Sequence, residues 1–227
     1  VNGGVTDDAA PLLSGTAEQN AVVSIFNNGA LIGTAVANGS GAWSFSPPSQ
    51  LAQGTNSFTA TQRDAAGNVS PVSSAYSVTV DTVAPAAPTI TTVTDDAAPR
   101  TGVLANGAAT NDTTPALAGT AEANAAIAVF ANGVQIGTTS ADGSGSWSFT
   151  PTTPLGDGNT IFTARATDLA GNQGPASSSF AVRIDNSAPA APVISGATDD
   201  VSPVVGNVAN GGVTNDTIPL LRGTAEA

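Results

Sequence analysis

The chain has 227 residues, and its 17 acidic residues against five arginines give a formal net charge of −12. It contains no histidine, cysteine or lysine, which excludes a serine–histidine pair, a cysteine nucleophile, a Schiff-base lysine and the usual zinc ligands. The acidity disfavours nucleic acid and anionic membranes as partners and favours cations, and no segment is long and apolar enough for direct membrane insertion.

The first 85 residues show the pattern of short β-strands separated by turns. Asn28-Gly29 lies between two apolar runs, which is typical of a two-residue hairpin turn. The counterparts of Trp43 and Phe45, which are Trp147 and Phe149, alternate with Ser146, Ser148 and Thr150, as in a half-buried strand. We predict that Trp43, its later counterpart Trp147 and Tyr76 all point inward, and that the tryptophans are core residues. A sugar-stacking platform is the alternative role for these rings.

The sequence repeats with a period of 104 residues. Gly15-Thr16-Ala17-Glu18 returns at 119–122 and again at 223–226, and Trp43-Ser44-Phe45 returns at 147–149. The spacing holds without a gap, which indicates a tandem array of one structural unit. We predict a first repeat at 1–85 that lacks its first strand, a complete second repeat at 86–189, and the start of a third at 190–227. Residues 86–108 are also compatible with a separate linker.

The second repeat predicts seven short strands and no helix. Turn residues separate the apolar runs every 8–12 positions, which is typical of an immunoglobulin-like β-sandwich. The fold class is therefore all-β, with tandem immunoglobulin-like sandwiches of about seven strands per repeat. In chain order we place strand A at 88–94, B at 115–121, C at 125–131, C′ at 134–140, E at 146–150, F at 159–167 and G at 177–184.

The acidic residues are expected at the ends of these sandwiches. Because consecutive strands reverse, the A–B segment and the end of strand G lie at the same end. In the second repeat this brings together Asp95, Asp96, Asp112 and Asp185. The corresponding end of the first repeat contains Asp7, Asp8 and Asp81. These residues are expected to face Glu122 and Asp168 of the second repeat. Thr94-Asp95-Asp96 recurs at 198–200, and Thr6-Asp7-Asp8 resembles a shorter form of it.

Such a cluster of three to five carboxylates predicts calcium where one repeat meets the next. Crowded carboxylates repel, and a bound cation reverses the sign of that interaction. Calcium takes about six to eight oxygen ligands, including carbonyls and Asn side chains. The alternative is that these are solvated turn residues, because Asp and Asn are favoured in turns. The candidate ligands are Asp7, Asp8, Asp81, Asp95, Asp96, Asn111, Asp112, Glu122, Asp168, Asp185, Asp199, Asp200, Asp216 and Glu226.

The linker between the two repeats and the segment after the second repeat also have predicted roles. Ala84-Pro85-Ala86-Ala87-Pro88 has two fixed φ angles, which favours a stiff, extended linker. An isolated strand pair is not stable alone. We therefore predict that 190–227 packs head to tail on a neighbouring molecule, filling the strand A position of its first repeat. A plainer alternative is that the chain is part of a longer ordered filament.

Several motifs in order identify a resemblance that covers the whole chain. Thr110–Pro115, Gly119–Glu122, Gly145–Phe149 and Asp168–Asn172 are similar to the bacterial immunoglobulin-like repeats of giant adhesins. Those RTX-type proteins are exported by type I secretion and serve in biofilm formation or host attachment. The resemblance implies an extracellular, cell-surface rod whose neighbouring repeats are joined through calcium, with no enzymatic activity. It implies metal ligands at Asp95, Asp96, Asp112 and Asp185, and at Asp7, Asp8 and Asp81.

Two other functions remain open from the residues. One is a ligand-binding module for glycan or ice, which would need exposed aromatic rings or a flat, regular threonine array. The other is a glycoside hydrolase, which needs two carboxyl groups at a defined separation in a cleft. A catalytic pair would occur once, whereas these acids recur with the repeat, so the chain is predicted not to be an enzyme.

Overall fold

A computed structural model describes residues 2–203 and 205–226. The chain divides into two units, Val1–Asp185 and Asn186–Ala227, and each is described by itself. Within the described residues, no helix is long and apolar enough to cross a membrane.

The larger unit contains 17 strands. They are β1 (Gly4–Thr6), β2 (Leu13–Thr16), β3 (Val22–Asn27), β4 (Ala30–Val36), β5 (Ala42–Phe45), β6 (Gly54–Arg63), β7 (Tyr76–Val80), β8 (Thr89–Asp95), β9 (Gly102–Val103), β10 (Ala109–Thr110), β11 (Ala116–Thr120), β12 (Ala126–Ala131), β13 (Val134–Ser140), β14 (Ser146–Phe149), β15 (Gly158–Thr167), β16 (Gln173–Ala176) and β17 (Phe180–Ile184).

The second repeat is a sandwich of two sheets. One has the order β10-β17-β15-β12-β13, with β16 on β15, and the other has the order β14-β11-β8-β9. Apolar side chains alternate inward from both sheets, so that Leu117, Ile127 and Phe162 are completely or almost completely buried. The Trp147 ring packs on Gly119 and leaves no room there for a side chain, which explains why glycine recurs in this motif.

The first repeat has the corresponding sheets β1-β7-β6-β3-β4 and β2-β5. In the described residues no strand pairs with β2 along the edge that β11 uses for β8. Leu13, Ile25 and Phe58 form a smaller core, and a groove of about 380 Å³ opens beside it. Trp43 is only half-buried there, whereas Trp147 is 4% exposed.

The smaller unit is a three-stranded sheet. Its strands are β18 (Val193–Asp199), β19 (Gly206–Val208) and β20 (Leu220–Thr224), in the order β19-β18-β20. The pairing of β18 with β20 repeats that of β8 with β11. The head-to-tail packing of this segment on another molecule stays a prediction.

The all-β sandwich predicted from the sequence is confirmed, and every strand predicted in the second repeat is present. Three short strands of the second repeat were not predicted, namely β9, β10 and β16. Tyr76 points inward as predicted, since it pairs with the buried Phe58 and lines the groove, but 43% of this residue is exposed. Tyr76 begins β7 at the rim of the groove in the first repeat, where no further strand covers it in the described chain.

Candidate metal centre

Three strand ends bring acidic residues to one end of the second repeat. Asp95 is the last residue of β8, and Asp112 lies two residues after β10. β10 runs parallel to β17, with Thr110 opposite Ile184, so that Asp185 follows at the same level. The segment between β8 and β11 therefore leaves one sheet and joins the other, and this crossing places its acids beside the end of β17.

Thr110 is the centre of this group. Its hydroxyl donates to Asp95 Oδ2 at 2.6 Å and accepts the backbone N–H of Asp112 at 3.0 Å. Its carbonyl accepts the N–H of Asp185 at 2.8 Å. One threonine thus fixes the positions of three acidic residues, and the sequence analysis did not identify it. The signal was present, because Thr6, Thr110 and Thr214 recur with the repeat.

Two of these carboxylates are buried. Asp95 and Asp112 are each 3% exposed, and within the described residues no arginine lies at ion-pair distance from either. An ion pair joins Arg183 and Asp185, at 3.4 Å. A buried charge is costly unless it is paired or strongly hydrogen-bonded, so this end of the repeat has an excess of negative charge.

Backbone N–H groups offset only part of the cost of burying these two carboxylates. Asp95 Oδ1 accepts the N–H of Ala97 at 2.9 Å, and Asp112 Oδ1 accepts that of Thr114 at 2.8 Å. Asp112 Oδ2 has the N–H of Asp96 at 3.2 Å, the long end of the hydrogen-bond range. The first two bonds are typical of Asp in turns, so these carboxylates do have the turn role considered above.

The smaller unit repeats the same arrangement. Thr214 donates to Asp199 Oδ2 at 2.6 Å and accepts the N–H of Asp216 at 3.0 Å. Asp199 and Asp216 are 3% and 5% exposed. Asp216 Oδ2 is fully buried and has no hydrogen-bond partner. An unsatisfied buried carboxylate oxygen is unusual and marks a position where a cation would be favourable.

The first repeat has only half of the group. Thr6 accepts the N–H of Asp8 through its hydroxyl and that of Asp81 through its carbonyl, but Asp7 and Asp8 are exposed. Thr6-Asp7-Asp8 therefore matches Thr110-Asn111-Asp112 and not Thr94-Asp95-Asp96, which corrects the interpretation of it as a shorter form of the latter. Within the described residues of this repeat, no acidic residue occupies the position of Asp95.

Across the joint of the two repeats, Asp168 lies close to the end of β7. Asp168 is 8% exposed, and its Oδ2 accepts the side-chain amide of Asn172 at 2.8 Å. The same amide donates to the carbonyl of Asp81 at 2.8 Å. Asn172 was also not proposed as a site residue, although Asn68 is its repeat counterpart.

The remaining candidates lie on the surface. Asp96, Glu122 and Asp200 are exposed. The Asn111 amide donates to the carbonyl of Ala98 at 2.8 Å, which ties the loop after β8 to the loop after β10. Glu226 accepts the N–H of Ala190 at 3.0 Å within the smaller unit.

The two Asp–Asn loops have lowered carboxyl pKa values. Burial opposes ionisation of Asp168, but the Asn172 side chain and backbone N–H groups outweigh it and hold the pKa below its ordinary value. The pKa of Asp64 is lowered mainly by the hydrogen bond from the Asn68 side chain. Both carboxyls are therefore ionised at neutral pH.

Within residues 2–203 and 205–226, no three carboxylates come together in a metal-binding group. The acids instead meet as pairs around a threonine. Calcium accepts carbonyl and hydroxyl oxygens beside carboxylates, so the chemistry of the pair at Asp95 and Asp112 fits a weak calcium site completed by other oxygens. In the smaller unit, the unpartnered Asp216 Oδ2 likewise fits a weak calcium site.

Comparison with known proteins gives one family and several similar folds. The sequence profile described as a bacterial Ig-like domain matches residues 1–82 and 86–186. No curated protein matches the chain.

Three solved structures illustrate the similarity of fold. Fibronectin(III)-like modules of Clostridium thermocellum CbhA are 14% identical, with a TM-score of 0.45, over 82% of this chain and 90% of that one. A tetra-tandem repeat in the extending region of a large adhesion protein is 19% identical, with a TM-score of 0.37, over 99% and 63%. The BSP domain of a biofilm-associated protein is 22% identical, with a TM-score of 0.31, over 83% and 30%. The chain thus spans less than two thirds of the last two.

Proposed function

The chain belongs to the bacterial Ig-like domain family, and from this premise we propose that it is a calcium-stiffened extender, or stalk, segment of a large bacterial cell-surface adhesin. In this role it projects a distal binding domain for biofilm formation or attachment. The gap-free repeat and the direct contact between successive repeats support an extended tandem array. Export by type I secretion, as in RTX adhesins, is part of the proposal.

The observation that carries the calcium part is the buried pair Asp95 and Asp112. Both carboxylates are 3% exposed and lack an arginine partner in the described chain. Asp95 and Asp112 would hold the ion, with carbonyls of the 96–111 loop and water completing the shell. Bound calcium would neutralise the pair and tie the loop to the ends of β8 and β17.

Weak binding suits an extracellular role. Extracellular calcium modules bind with dissociation constants of roughly 10⁻⁴–10⁻³ M, so such sites fill only where calcium is abundant. Within the cell the acidic ends would repel each other, and outside it they would close around the ion. This provides a switch from a pliable to a stiff connection after Asp185 once the chain has been exported.

A glycan- or ice-binding module is a weaker candidate. The groove beside Trp43 and Tyr76 is the one feature that favours it. In the second repeat, β8 occupies the corresponding place along β11 and Val93 is fully buried there. The groove therefore has the shape of a strand position and not of a sugar site. The acids lie at repeat ends and recur with the period, so we propose no catalytic role for them.

Small-angle scattering with and without calcium tests the proposal. In millimolar calcium we expect a long, well-defined maximum dimension, and in excess chelator a shorter or broader one, because the chain after Asp185 is then free to reorient. Calorimetric titration with calcium should show binding that Asp95→Asn and Asp112→Asn each remove. Superimposable scattering profiles, or no heat of binding, would overturn the calcium role.

The chain offers a matched control for the loss of charge. Asp142 accepts hydrogen bonds from Ser144 and Ser146 in a turn, and Asn38 accepts the equivalent bonds in the first repeat. Asp142→Asn therefore removes one negative charge and keeps the local structure. If this variant lost calcium binding as completely as Asp112→Asn, the effect would be one of net charge and not of a site.

A further inference from the structure

The joint between the first and second repeats contains contacts that need no cation. The Asn172 side-chain amide donates to the carbonyl of Asp81, immediately after β7, and to Asp168 Oδ2, both at 2.8 Å. The first bond links one repeat to the other over 91 positions of sequence. The second bond fixes the orientation of the amide that makes the link.

The linker itself packs on the second repeat. Pro85 is buried, and its carbonyl oxygen and ring lie against Gly174 so closely that a Cβ at this position would collide with them. Gly174 is itself buried in β16, and it has no unusual φ that would require glycine. Glycine is thus needed for contact with the linker and not for backbone conformation.

The Asp–Asn loop has this geometry whether or not a repeat is docked on it. In the first repeat Asn68 donates to Asp64 Oδ2 at 2.7 Å, and Asp64 Oδ1 accepts the Asn68 N–H at 2.8 Å. The corresponding bonds in the second repeat measure 2.8 and 2.9 Å. Asn68 is exposed, so the loop forms without a docked partner and is preorganised for one.

We propose that Asn172 and Gly174 form a metal-independent clamp for the end of the preceding repeat, with Asn172 as the positioning residue. The partner that fits this surface is the terminal carbonyl of a G-type strand followed by an Ala-Pro linker. The clamp sets the direction of the joint before any ion binds. The inference goes beyond the proposed function because it holds in the absence of calcium.

Spin labels can test the clamp directly, because the chain has no cysteine. Val36→Cys and Val134→Cys place one label on each repeat at sites that are 65% and 67% exposed. In excess chelator, pulsed electron–electron distance measurement should give a single narrow distance. Asn172→Ala and Gly174→Ala should each lose that narrow peak, by loss of the amide bond and by displacement of Pro85.

Two matched controls isolate the joint. Asn68→Ala removes the same bonds within its own loop but none between repeats, and Gly156→Ala adds a methyl group where a Cβ meets nothing within 4 Å. Both should keep the narrow peak. The clamp proposal would be overturned by a broad distance distribution in the labelled chain that keeps Asn172 and Gly174. Equal broadening by Asn68→Ala and Asn172→Ala would also overturn it. Every distance measurement is made in chelator, so a broad distance tests the clamp alone. Failure of the calcium proposal would instead appear as a missing response to added calcium.

Discussion

In the described residues the first and second repeats share a sequence pattern and the order of five strands in one sheet, but no strand of the first corresponds to β8, β9 or β16. In the second repeat β8 covers β11, Val93 is fully buried and Trp147 is 4% exposed. In the first repeat the matching edge of β2 is unpaired in the described chain, Trp43 is half-buried and a groove of about 380 Å³ remains. β8 therefore seals one core, and no strand takes its place on the other core within the described residues.

That difference extends to the acidic residues at the repeat end. Asp112 is 3% exposed, but its counterpart Asp8 is exposed. β8 accounts for this, because its last residue, Asp95, supplies the second carboxylate of the pair around Thr110. The first strand of a repeat thus completes the core and the candidate metal centre together.

The largest expected effect concerns the two cores. Leu117→Ala removes a side chain that is 1% exposed and should destabilise the second repeat by about 2–5 kcal/mol, as other buried Leu→Ala changes do. Leu13→Ala, the matched change in the first repeat, should cost less than about 2 kcal/mol because the adjacent groove already admits water. Calorimetric unfolding of the whole chain measures both.

Equal losses for these two variants would contradict the comparison. Val93→Ala shows which unfolding transition belongs to the second repeat, because Val93 has no counterpart in the described first repeat. It should lower the same transition as Leu117→Ala and leave the other unchanged.

The strands and the acidic ends were predictable from the sequence because both depend on local pattern. Period-two alternation marked β14, and Asn28-Gly29 marked the turn before β4. β9 and β10 have two residues each, too few for a period, and they exist through pairing with distant strands. Tyr76 alternates like a core residue, but its exposure depends on whether another strand covers it, which local pattern does not determine.

The roles of Thr110 and Asn172 were not predictable in the same way. A threonine in a strand and an asparagine in a loop are both favoured for backbone reasons. Their functions depend on hydrogen bonds to residues 15 and 91 positions away. Recurrence with the repeat was the one available signal, and it marks structural and binding residues alike.

The next largest effect on stability is expected from loss of the Thr110 hydroxyl, which links Asp95 to Asp112. In chelator, Thr110→Val leaves Asp95 Oδ2 and the N–H of Asp112 without their partner and should cost about 1–3 kcal/mol, the usual cost of unsatisfied buried polar groups. Thr6→Val removes only a bond to the exposed Asp8 and should change stability by less than about 0.5 kcal/mol. Denaturant unfolding of both variants gives the comparison, and a Thr6 effect as large as that of Thr110 would contradict it.

Calcium should stabilise the second repeat more than the first. With a dissociation constant of about 10⁻⁴–10⁻³ M, 10 mM calcium would raise the free energy of unfolding by about 1.4–2.7 kcal/mol at one site. The described part of the first repeat has no counterpart of Asp95, so its transition should move less. Calorimetry in calcium and in chelator measures both shifts, and magnesium at equal concentration controls for ionic strength. A larger shift in the first repeat would place the ion elsewhere.

The smallest expected effect is the pH response of the two Asp–Asn loops. A carboxyl group whose folded pKa lies below 3.8 stabilises the fold above that pH, and the contribution is lost as the pH falls from about 3.8 through the folded pKa. Asn172→Ala and Asn68→Ala should raise the pKa of Asp168 and Asp64 respectively, which narrows this window of acid stability.

The two loops should differ in how far the pKa rises. Burial is the largest influence on Asp168 and acts to raise its pKa, whereas the Asn68 hydrogen bond is the largest influence on Asp64. Without the amide, burial of Asp168 is opposed by backbone N–H groups alone, so Asp168 should reach the higher pKa of the two. Carboxyl carbon chemical shifts followed by NMR from pH 7 to pH 2 measure both values. If Asp64 in Asn68→Ala titrated above Asp168 in Asn172→Ala, docking of the first repeat on this loop would not bury its carboxylate in solution.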